Sequence, residues 1–429
     1  MNQGFKKVKG FRDIWGKDIP YWNLIEHKIF KLLKNYNYEE VKLPVLEKIE
    51  VFKKGLGDSS DIVEKEMFSF IDKDGCRLAL RPEGTASVVR FFIENNLYNE
   101  NKIHKFYYYG PMFRREKPQK GRFRQFFQAG VEAIGSRSPL LDAEVIKLIS
   151  DFFEQFSNMI NYNIEINSVG CLDCRKVYIN ELNKYLETRK FHLCENCINK
   201  IKLNPLRVFD CKNDRCKEIL KNAPNIMDYY CPSCKMHFDD LLQNLELYNV
   251  SYKINPRLVR GLDYYTNTAF EVISDFAGAP IAIGAGGRYD GLIKNMGGPD
   301  IAGIGFAIGI DRLVDLLKEC GMYTEKEFLV FVIYQRSEFI KHAVELAQNL
   351  RQGGIPTSID YDMVSIKSQF KMANKLNVDY AVVIGEDELN FEYYTLKNMT
   401  SGEQVKIEKN NLLSYLKRNM EGKIVNIVR

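Results

Sequence analysis

The 429-residue chain lacks any long apolar run. No stretch approaches the roughly 18 residues that a helix needs to span a bilayer, so a helical membrane protein is excluded. The first twenty residues contain lysines but no apolar segment behind them, which excludes a secretory signal. Internal repeats and low-complexity segments are missing as well. We therefore expect a cytoplasmic protein with no membrane partner.

Charge of one sign is not in large excess either. The formal net charge is +5, which is compatible with a polyanionic partner but does not require one. The composition is 45% hydrophobic and 27% charged, as in an ordinary globular protein with a sizeable core. A chain of this length predicts two or three domains.

The character of the sequence changes twice along the chain. Residues 20–38 repeat apolar side chains every three or four positions and predict an amphipathic helix, and residues 104–134 predict two strands joined by a basic loop. Eight of the ten cysteines then fall between residues 171 and 234. After residue 324, strands alternate with helices, as in an α/β domain. The predicted domains are residues 1–170 together with 251–324, a cysteine-rich insertion at 171–250, and an α/β domain at 325–429.

The stretch RFRQFFQAGVEAIG is a predicted strand with an ordered set of polar and aromatic side chains. Because side chains alternate between the faces of a strand, one face holds every second residue. These are Arg122, Arg124, Phe126, Gln128, Gly130 and Glu132. Arginines bind phosphates through charge-assisted hydrogen bonds, an aromatic ring stacks on a planar base, and an amide and a carboxylate suit a smaller polar substrate. Each residue alone also fits a solvent-facing sheet, but the ordered set favours a ligand floor, with Arg114 and Glu116 beside it on the preceding strand.

The loop RREKPQKGR, residues 114–122, contains five cations and one acid. Such a loop is a candidate for contacts with a nucleic-acid backbone, and a solvated basic turn is the plainer alternative. The candidate contact residues in this loop are Lys117, Gln119 and Lys120.

The cysteines form four close pairs. They are Cys171 with Cys174, Cys194 with Cys197, Cys211 with Cys216, and Cys231 with Cys234. Three pairs have the C-x₂-C spacing that lets two thiolates bind one metal, and the third pair is looser. The interval between Cys174 and Cys194 holds 19 residues, within the range of four-cysteine zinc sites, and that between Cys216 and Cys231 holds 14, just below it. Three alternatives stay open: one or two structural zinc ions with unassigned pairing, disulfides, which a reducing compartment disfavours, or small residues without a ligand.

Five stretches, in order along the chain, resemble the signatures of class II aminoacyl-tRNA synthetases, and specifically of the histidyl-tRNA synthetase family. Residues 20–47 resemble motif 1, which forms the dimer interface in that family. GPMFRREKPQKGRFRQF resembles motif 2, and GIGFAIGIDRL resembles motif 3. LVRGLDYYTNTAFEV and GAGGRYDGL are similar to signatures of the family itself. The resemblance covers essentially the whole chain.

The resemblance implies an α+β fold in which an antiparallel sheet is flanked by helices. It implies a homodimeric ligase that uses ATP with Mg²⁺ to convert histidine to histidyl-adenylate and then transfers the histidyl group to tRNA(His). The stretch RGLDYYTNTAFEV has an arginine before two tyrosines but no serine–histidine pair. This fits such a reaction, because the substrate carboxylate is itself the nucleophile and the enzyme supplies positioning and charge stabilisation.

Roles for individual residues follow from the same resemblance. Arg260 and Arg114 match arginines that contact the α-phosphate and the substrate carboxylate, and are the expected catalytic residues. The expected ATP-binding residues are Arg114, Glu116, Arg122, Phe126 and Arg312. Among them, Arg122 and Arg312 match positions that hold the terminal phosphates, and Phe126 matches one that stacks on adenine.

The expected histidine-binding residues are Glu83, Thr85, Gln128, Glu132, Tyr264 and Tyr265. Glu132 matches the acceptor for an imidazole N–H. Because adjacent residues of a straight strand face opposite ways, the backbone must bend for Tyr264 and Tyr265 to contact one ligand. The glycines of GAGGRYDG are expected to let the backbone close over the ring.

The C-terminal domain resembles the anticodon-binding domain of the family. In the predicted helix 364–377, Lys367, Lys371 and Lys375 recur every four residues and so lie on one face. They are candidate tRNA contacts, and a solvated helix face is the alternative.

Two positions depart from the family pattern. Phe127 stands where a histidine is expected, and Lys117 stands where arginine is usual. Two other functions stay open at this point. One is a synthetase-like regulatory subunit of ATP phosphoribosyltransferase, although such paralogues lack the C-terminal domain and the ATP-binding arginines. The other is a non-catalytic, zinc-scaffolded RNA-binding protein.

Overall fold

The computed structural model describes residues 5–57, 60, 62–118, 121–259, 264–276, 278–321 and 328–427. The chain divides into two compact units, Met1–Met322 and Tyr323–Arg429. Arg260, Gln119 and Lys120, three of the predicted site residues, lie outside the described residues.

The described residues form sixteen strands, numbered β1 to β16 in chain order: Glu39–Glu40, Leu46–Lys48, Ser69–Ile71, Arg77–Leu80, His104–Phe113, Gln125–Ile134, Tyr162–Ser168, Lys253–Ile254, Thr266–Phe276, Ala279–Arg288, Gly303–Gly309, Val330–Tyr334, Thr357–Ile359, Tyr380–Ile384, Tyr393–Asn398 and Gln404–Glu408.

The same residues form fourteen α-helices, numbered α1 to α14: Ile19–Asn35, Ile49–Leu56, Thr85–Glu94, Pro139–Glu154, Leu172–Glu187, Glu195–Leu203, Asp214–Lys221, Pro232–Leu247, Leu292–Asn295, Ile310–Glu319, Ile340–Gln352, Ile366–Lys375, Glu386–Asn390 and Leu412–Ile427. Within the described ranges, none of these helices is both long enough and apolar enough to cross a membrane.

An eight-stranded sheet forms the centre of the first unit, in the order β1-β5-β6-β11-β10-β9-β7-β8. The inner strands are antiparallel to their neighbours, and only the two-residue strands β1 and β8 pair in parallel at the edges. The structure therefore confirms the predicted antiparallel sheet flanked by helices.

The two faces of this sheet are packed differently. Ala129, Val131 and Ala133 of β6 join a core with α1, α4 and α10. On the opposite face, Phe126 packs with a core built from α2, α3 and α9. This confirms the predicted alternation along β6, and it leaves Gln128 and Glu132 on the face that carries the cleft described below.

Helix α1 is shorter than the predicted helix 20–38. Its buried residues Trp22, Ile25, Ile29 and Leu33 follow the predicted spacing, but the helix ends at Asn35. Asn37 has a φ of 59°, in the left-handed region that terminates helices, and the backbone N–H of residue 38 bonds back to the Leu33 carbonyl.

The basic loop between β5 and β6 is longer than predicted. Strand β5 ends at Phe113 and β6 begins at Gln125, so Arg114, Glu116 and Arg122 lie in the loop and not on strands. One further backbone bond, from the Arg114 N–H to the Arg124 carbonyl at 2.9 Å, holds the base of the loop together. The Arg124 side chain turns to the carbonyls of Glu116 and Lys9.

The cysteine-rich segment between β7 and β8 forms helices α5 to α8. Its small core combines leucine, valine and tyrosine side chains with Cys197 and Cys216.

The second unit has a five-stranded sheet in the order β13-β12-β14-β15-β16. Strands β12, β13 and β14 are parallel, as their alternation with helices predicts, and β15 and β16 add an antiparallel hairpin that the sequence pattern missed.

Candidate functional site

A cleft of about 410 Å³ opens on the face of the large sheet that carries α2 and α3. All eleven described residues predicted to bind ATP or histidine line it. They are Glu83, Thr85, Arg114, Glu116, Arg122, Phe126, Gln128, Glu132, Tyr264, Tyr265 and Arg312. Val259 and Tyr264, which flank residues 260–263, also line this cleft.

One end of the cleft is cationic. Arg122 donates to a carboxylate oxygen of Glu116 at 3.0 Å, and Arg114 lies 4.0 Å from the other oxygen. Arg312 donates to the Ala282 carbonyl at 2.7 Å. Burial, and then repulsion from Arg122, lower the pKa of Arg312. Because three guanidinium groups share this end, a polyanion is the ligand that would relieve their repulsion.

Arg114 and Phe126 form the adjoining wall. The Arg114 Nε donates to the Pro82 carbonyl at 2.9 Å, and its guanidinium lies 5.3 Å from the centre of the Phe126 ring. This stacking fixes the direction of the cation while leaving donors of the guanidinium for a ligand. A planar base next to Phe126 would therefore place its phosphates close to Arg114.

The other end of the cleft contains a buried carboxylate. Glu132 accepts hydrogen bonds from the hydroxyls of Thr85 and Tyr289, each at 2.6 Å. Burial raises the pKa of Glu132 to about 8, and these two hydrogen bonds only partly oppose that rise. A ligand that donates an N–H to this carboxylate would stabilise its charged form.

Glu83 is the second buried carboxylate. Its oxygens accept from the backbone N–H groups of Thr85 and Ala86 at the start of α3, at 2.7 and 2.8 Å. Burial raises the pKa of Glu83, whereas these backbone donors lower it. Nearby, within the described part of the chain, no donor reaches the buried Oε1 of Gln128. These oxygens together can accept from an ammonium group.

The two tyrosines of the signature both reach the cleft because the chain bends before β9. Tyr264 lies in a turn, and β9 begins only at Thr266. Asn267 has a φ of 48°. The two rings lie side by side with centres 4.7 Å apart. The bend that the sequence required is therefore present.

Two glycines leave space for site residues. A Cβ on Gly305 would lie 2.1 Å from the Glu132 Oε2, and one on Gly287 would lie 2.8 Å from the Tyr265 ring. Any larger residue would displace the carboxylate or the tyrosine. Gly287 belongs to GAGGRYDG, whereas Gly305 belongs to the motif 3 stretch.

Several cleft residues were not predicted, chiefly Tyr108, Glu271, Tyr289 and Asp311. Tyr108 pairs with Gly130 across β5 and β6, and its ring occupies the space that a Gly130 side chain would need. A glycine in β6 that lacks a side chain opposite a tyrosine in β5 is the sequence signal that could have identified Tyr108. Asp311 accepts from Arg12 at 2.7 Å and from the Phe127 N–H at 2.6 Å.

Phe127 itself, the departure from the family pattern, packs its ring edge-on against Trp22 in the helix layer. Lys117 is exposed in the loop. In the second unit, Lys367, Lys371 and Lys375 are all exposed on α12.

The eight clustered cysteines form two groups of four. Cys171, Cys174, Cys231 and Cys234 form the outer group, and Cys194, Cys197, Cys211 and Cys216 form the inner group. Within each group all sulfur atoms lie within 4.8 Å of one another. Two sulfur distances in the outer group are 3.5 and 3.9 Å. These are close to the roughly 3.8 Å that a tetrahedral zinc with bonds of about 2.3 Å would impose, and far above the roughly 2.05 Å of a disulfide.

Comparison with known proteins gives a consistent result. The family model described as histidyl-tRNA synthetase matches residues 10–313, and the anticodon binding domain model matches residues 329–419. The histidine–tRNA ligase of Thermodesulfovibrio yellowstonii is 44% identical over 97% of this chain and 99% of its own length. That of Clostridioides difficile is 43% identical over the same shares.

Solved structures agree with these relatives. The apo histidyl-tRNA synthetase of S. aureus superposes with a TM-score of 0.80, at 36% identity, over 96% of this chain and 100% of that chain. A protein of Bacillus halodurans described as an ATP phosphoribosyltransferase regulatory subunit/histidyl-tRNA synthetase has a TM-score of 0.63 over 86% of this chain and 96% of its own. At 22% identity it shares the fold alone.

Proposed function

The chain belongs to the histidyl-tRNA synthetase family and acts as a histidine–tRNA ligase, and we propose that the cleft described above carries out both steps of that reaction. The observation that carries the proposal is the gradient along the cleft, from three arginines at one end to the buried Glu132 at the other. Class II synthetases generally use ATP with Mg²⁺ as substrate. The regulatory-subunit alternative is not favoured by these relatives.

Histidine occupies the carboxylate end in this proposal. Its imidazole N–H donates to Glu132, and its ammonium group is held by Glu83 and Gln128 oxygens. Thr85 orients Glu132 through its hydroxyl, at 2.6 Å. Tyr264 and Tyr265 close the pocket around the ring.

ATP occupies the arginine end. Its adenine stacks on Phe126 next to Glu116, and its terminal phosphates meet Arg122 and Arg312. The histidine carboxylate oxygen attacks the α-phosphorus, so a carbonyl–oxygen–phosphorus linkage forms and the bond to pyrophosphate breaks. Arg114, and Arg260 by its match to the family, stabilise the charge on the α-phosphoryl oxygens during that step.

A hydroxyl of the terminal ribose of tRNA then attacks the histidyl carbonyl carbon. An ester bond to tRNA forms, the bond between the carbonyl carbon and the bridging oxygen of the adenylate breaks, and AMP leaves with that oxygen while the hydroxyl loses its proton. Charging of a tRNA(His) transcript with labelled histidine tests this proposal, and we expect AMP and histidyl-tRNA in equal amounts. Formation of adenylate without any charging would contradict it.

We propose that residues 1–170 with 251–324 form the catalytic domain, that 171–250 form an insertion, and that 325–429 bind the anticodon arm of tRNA. The match of residues 329–419 to the anticodon binding domain supports the last assignment. The basic loop, with Lys117, Gln119 and Lys120, is proposed to contact tRNA near the cleft.

Neutralising Lys367, Lys371 and Lys375 together, as glutamines, is expected to weaken tRNA binding and to flatten its salt dependence. Each lost phosphate contact lowers the slope of log affinity against log salt by about 0.7 to 0.9. In the described ranges none of the three lysines is in an ion pair with an acid, so folding should be unaffected. Filter binding at several salt concentrations measures the slope. Histidine-dependent exchange is the control and should not change, whereas unchanged tRNA affinity would assign the three lysines to a solvated face.

We propose that the chain forms a homodimer through the apolar surface near the motif 1 stretch. The small sheet of β2, β4 and β3 leaves Leu46, Phe70 and Ile71 substantially exposed, at 39%, 49% and 66%. A second copy of the chain would cover these apolar side chains.

We propose that each cysteine group holds a structural Zn²⁺. All ten cysteines are free thiols in the structure, and each group has the four soft ligands that zinc prefers. Protein purified without chelators is therefore expected to contain two zinc ions per chain by elemental analysis. A content below about half an ion per chain, with all eight thiols titratable in the folded protein, would contradict this assignment.

A further inference from the structure

The two cysteine groups are nested along the chain. The outer group joins Cys171 and Cys174, where the insertion begins, to Cys231 and Cys234 at the start of its last helix. The inner group lies entirely between them in sequence. The outer group therefore sits where the insertion leaves the catalytic sheet, whereas the inner group belongs to the core of the insertion.

The outer group contacts the first residues of β9, which follow the two tyrosines of the histidine pocket. Cys234 Sγ lies 3.3 Å from the side-chain Oδ1 of Asn267. A metal-bound thiolate can only accept, so the amide would then present its N–H group to the sulfur. The Asn267 N–H also donates to the Gly170 carbonyl at 3.1 Å, directly before Cys171. Asn267 is the second residue of β9 and has a left-handed φ of 48°.

A second contact comes from the first turn of α5. Arg175 follows Cys174 and donates from its guanidinium to the backbone carbonyl of Tyr265. The Cys171 N–H and the Cys231 N–H donate to sulfur atoms of the outer group, at 3.3 and 3.0 Å. The position of Tyr265 is thus connected to the outer group through one side chain.

We propose that the outer centre, with zinc bound, is a positioning site for histidine recognition: it holds Arg175 and Asn267 so that Tyr264 and Tyr265 both face the ligand. The proposal rests on the proposed function of the cleft. The inner centre stabilises the insertion without this role. The hydrogen bonds of Cys194 and Cys216 run to other residues of the insertion.

The test compares one cysteine from each centre. Cys234→Ser removes an outer ligand, and Cys197→Ser removes a buried inner ligand from α6. Cys197 is preferred to Cys211 as the control, because Asp210 beside Cys211 lines the cleft. Each variant is expected to lose one zinc ion. Only Cys234→Ser is expected to raise the KM for histidine, by roughly tenfold or more, since small displacements of positioning groups have effects of this size. Its KM for ATP should stay within about twofold.

Two further variants keep the proposal testable if Cys234→Ser fails to fold. Cys234→His retains a zinc ligand and is expected to restore both the zinc content and the KM for histidine. Arg175→Met leaves all eight cysteines in place, so zinc content should be unchanged while the KM for histidine rises. An unchanged KM for histidine in Arg175→Met, or equal increases in Cys234→Ser and Cys197→Ser, would overturn the proposal. Wild-type protein without histidine-dependent exchange would instead refute the function of the cleft.

Discussion

Arg260→His is expected to lower histidine-dependent ATP–pyrophosphate exchange by several orders of magnitude and to leave the melting temperature nearly unchanged. One charge-stabilising donor in a water-excluded site contributes roughly 10²–10³-fold in rate. By its match to the family signature, we propose that Arg260 acts on two groups, the α-phosphate and the substrate carboxylate. An ATP–pyrophosphate exchange assay measures the rate, and thermal unfolding measures the melting temperature.

The surroundings of residue 260 support this expectation. Val259 and Tyr264, on either side of residues 260–263, both line the cleft. Arg114 lines the same cleft from the loop after β5, where the Pro82 carbonyl and the Phe126 ring fix its guanidinium. Histidine at position 260 would be mostly neutral at pH 7 and shorter than arginine, so it would replace neither the charge nor the reach.

Arg336→His is the control for this change. Arg336 belongs to the second unit, and its side chain is 61% exposed beside Glu386. Exchange does not involve tRNA, so this variant should retain the wild-type rate. Near wild-type exchange in Arg260→His would remove Arg260 from the mechanism.

Glu132→Gln is expected to raise the KM for histidine by roughly 10- to 100-fold, because an unpaired buried polar group costs about 1–3 kcal/mol. The two oxygens of Glu132 accept from Thr85 and Tyr289, and Glu132 lines the end of the cleft proposed to bind histidine. Glutamine replaces one oxygen by a donor, which cannot accept from the imidazole N–H. The KM for ATP should change far less.

Glu116→Gln at the arginine end is the matched control. Glu116 accepts from Arg122, so its change is expected to raise the KM for ATP and to leave that for histidine nearly constant. Equal effects of Glu132→Gln on the two KM values would refute its assignment to histidine.

Glu132→Gln also has a predictable effect on the pH dependence of stability. Burial raises the pKa of Glu132 from its ordinary value of 4.5 to about 8. Between these two pH values the folded protein holds a proton that the unfolded chain has lost, so this group makes the free energy of unfolding fall as pH rises. Glu132→Gln removes the titrating group, and denaturant unfolding from pH 5 to 8 should show a correspondingly flatter pH dependence.

Local patterns in the sequence were sufficient to predict the floor of the cleft. Alternation along β6 placed Phe126, Gln128 and Glu132 on one face, because strand periodicity is a local property. The resemblance to the family added the arginines and the tyrosines. The end of α1 at Asn35 was not predicted, because it depends on the left-handed conformation of Asn37.

Other features depend on contacts between distant residues. The pairing of Tyr108 with Gly130 requires the register of β5 and β6. The nested grouping of the cysteines requires the two ends of the cysteine-rich segment to meet, so that Cys171 and Cys174 group with Cys231 and Cys234 and not with the nearer pair Cys194 and Cys197. Spacing alone indicated metal ligands but could not assign them to a centre.

ATP–pyrophosphate exchange measured with each of the twenty amino acids in turn tests the central claim most directly. The arrangement of Glu132, Thr85 and Tyr289 predicts exchange with histidine alone, because most other side chains would leave the buried carboxylate without an N–H donor, and those with an N–H differ from imidazole in size and shape. Exchange that is absent with histidine, or that is as fast with another amino acid, would contradict the account.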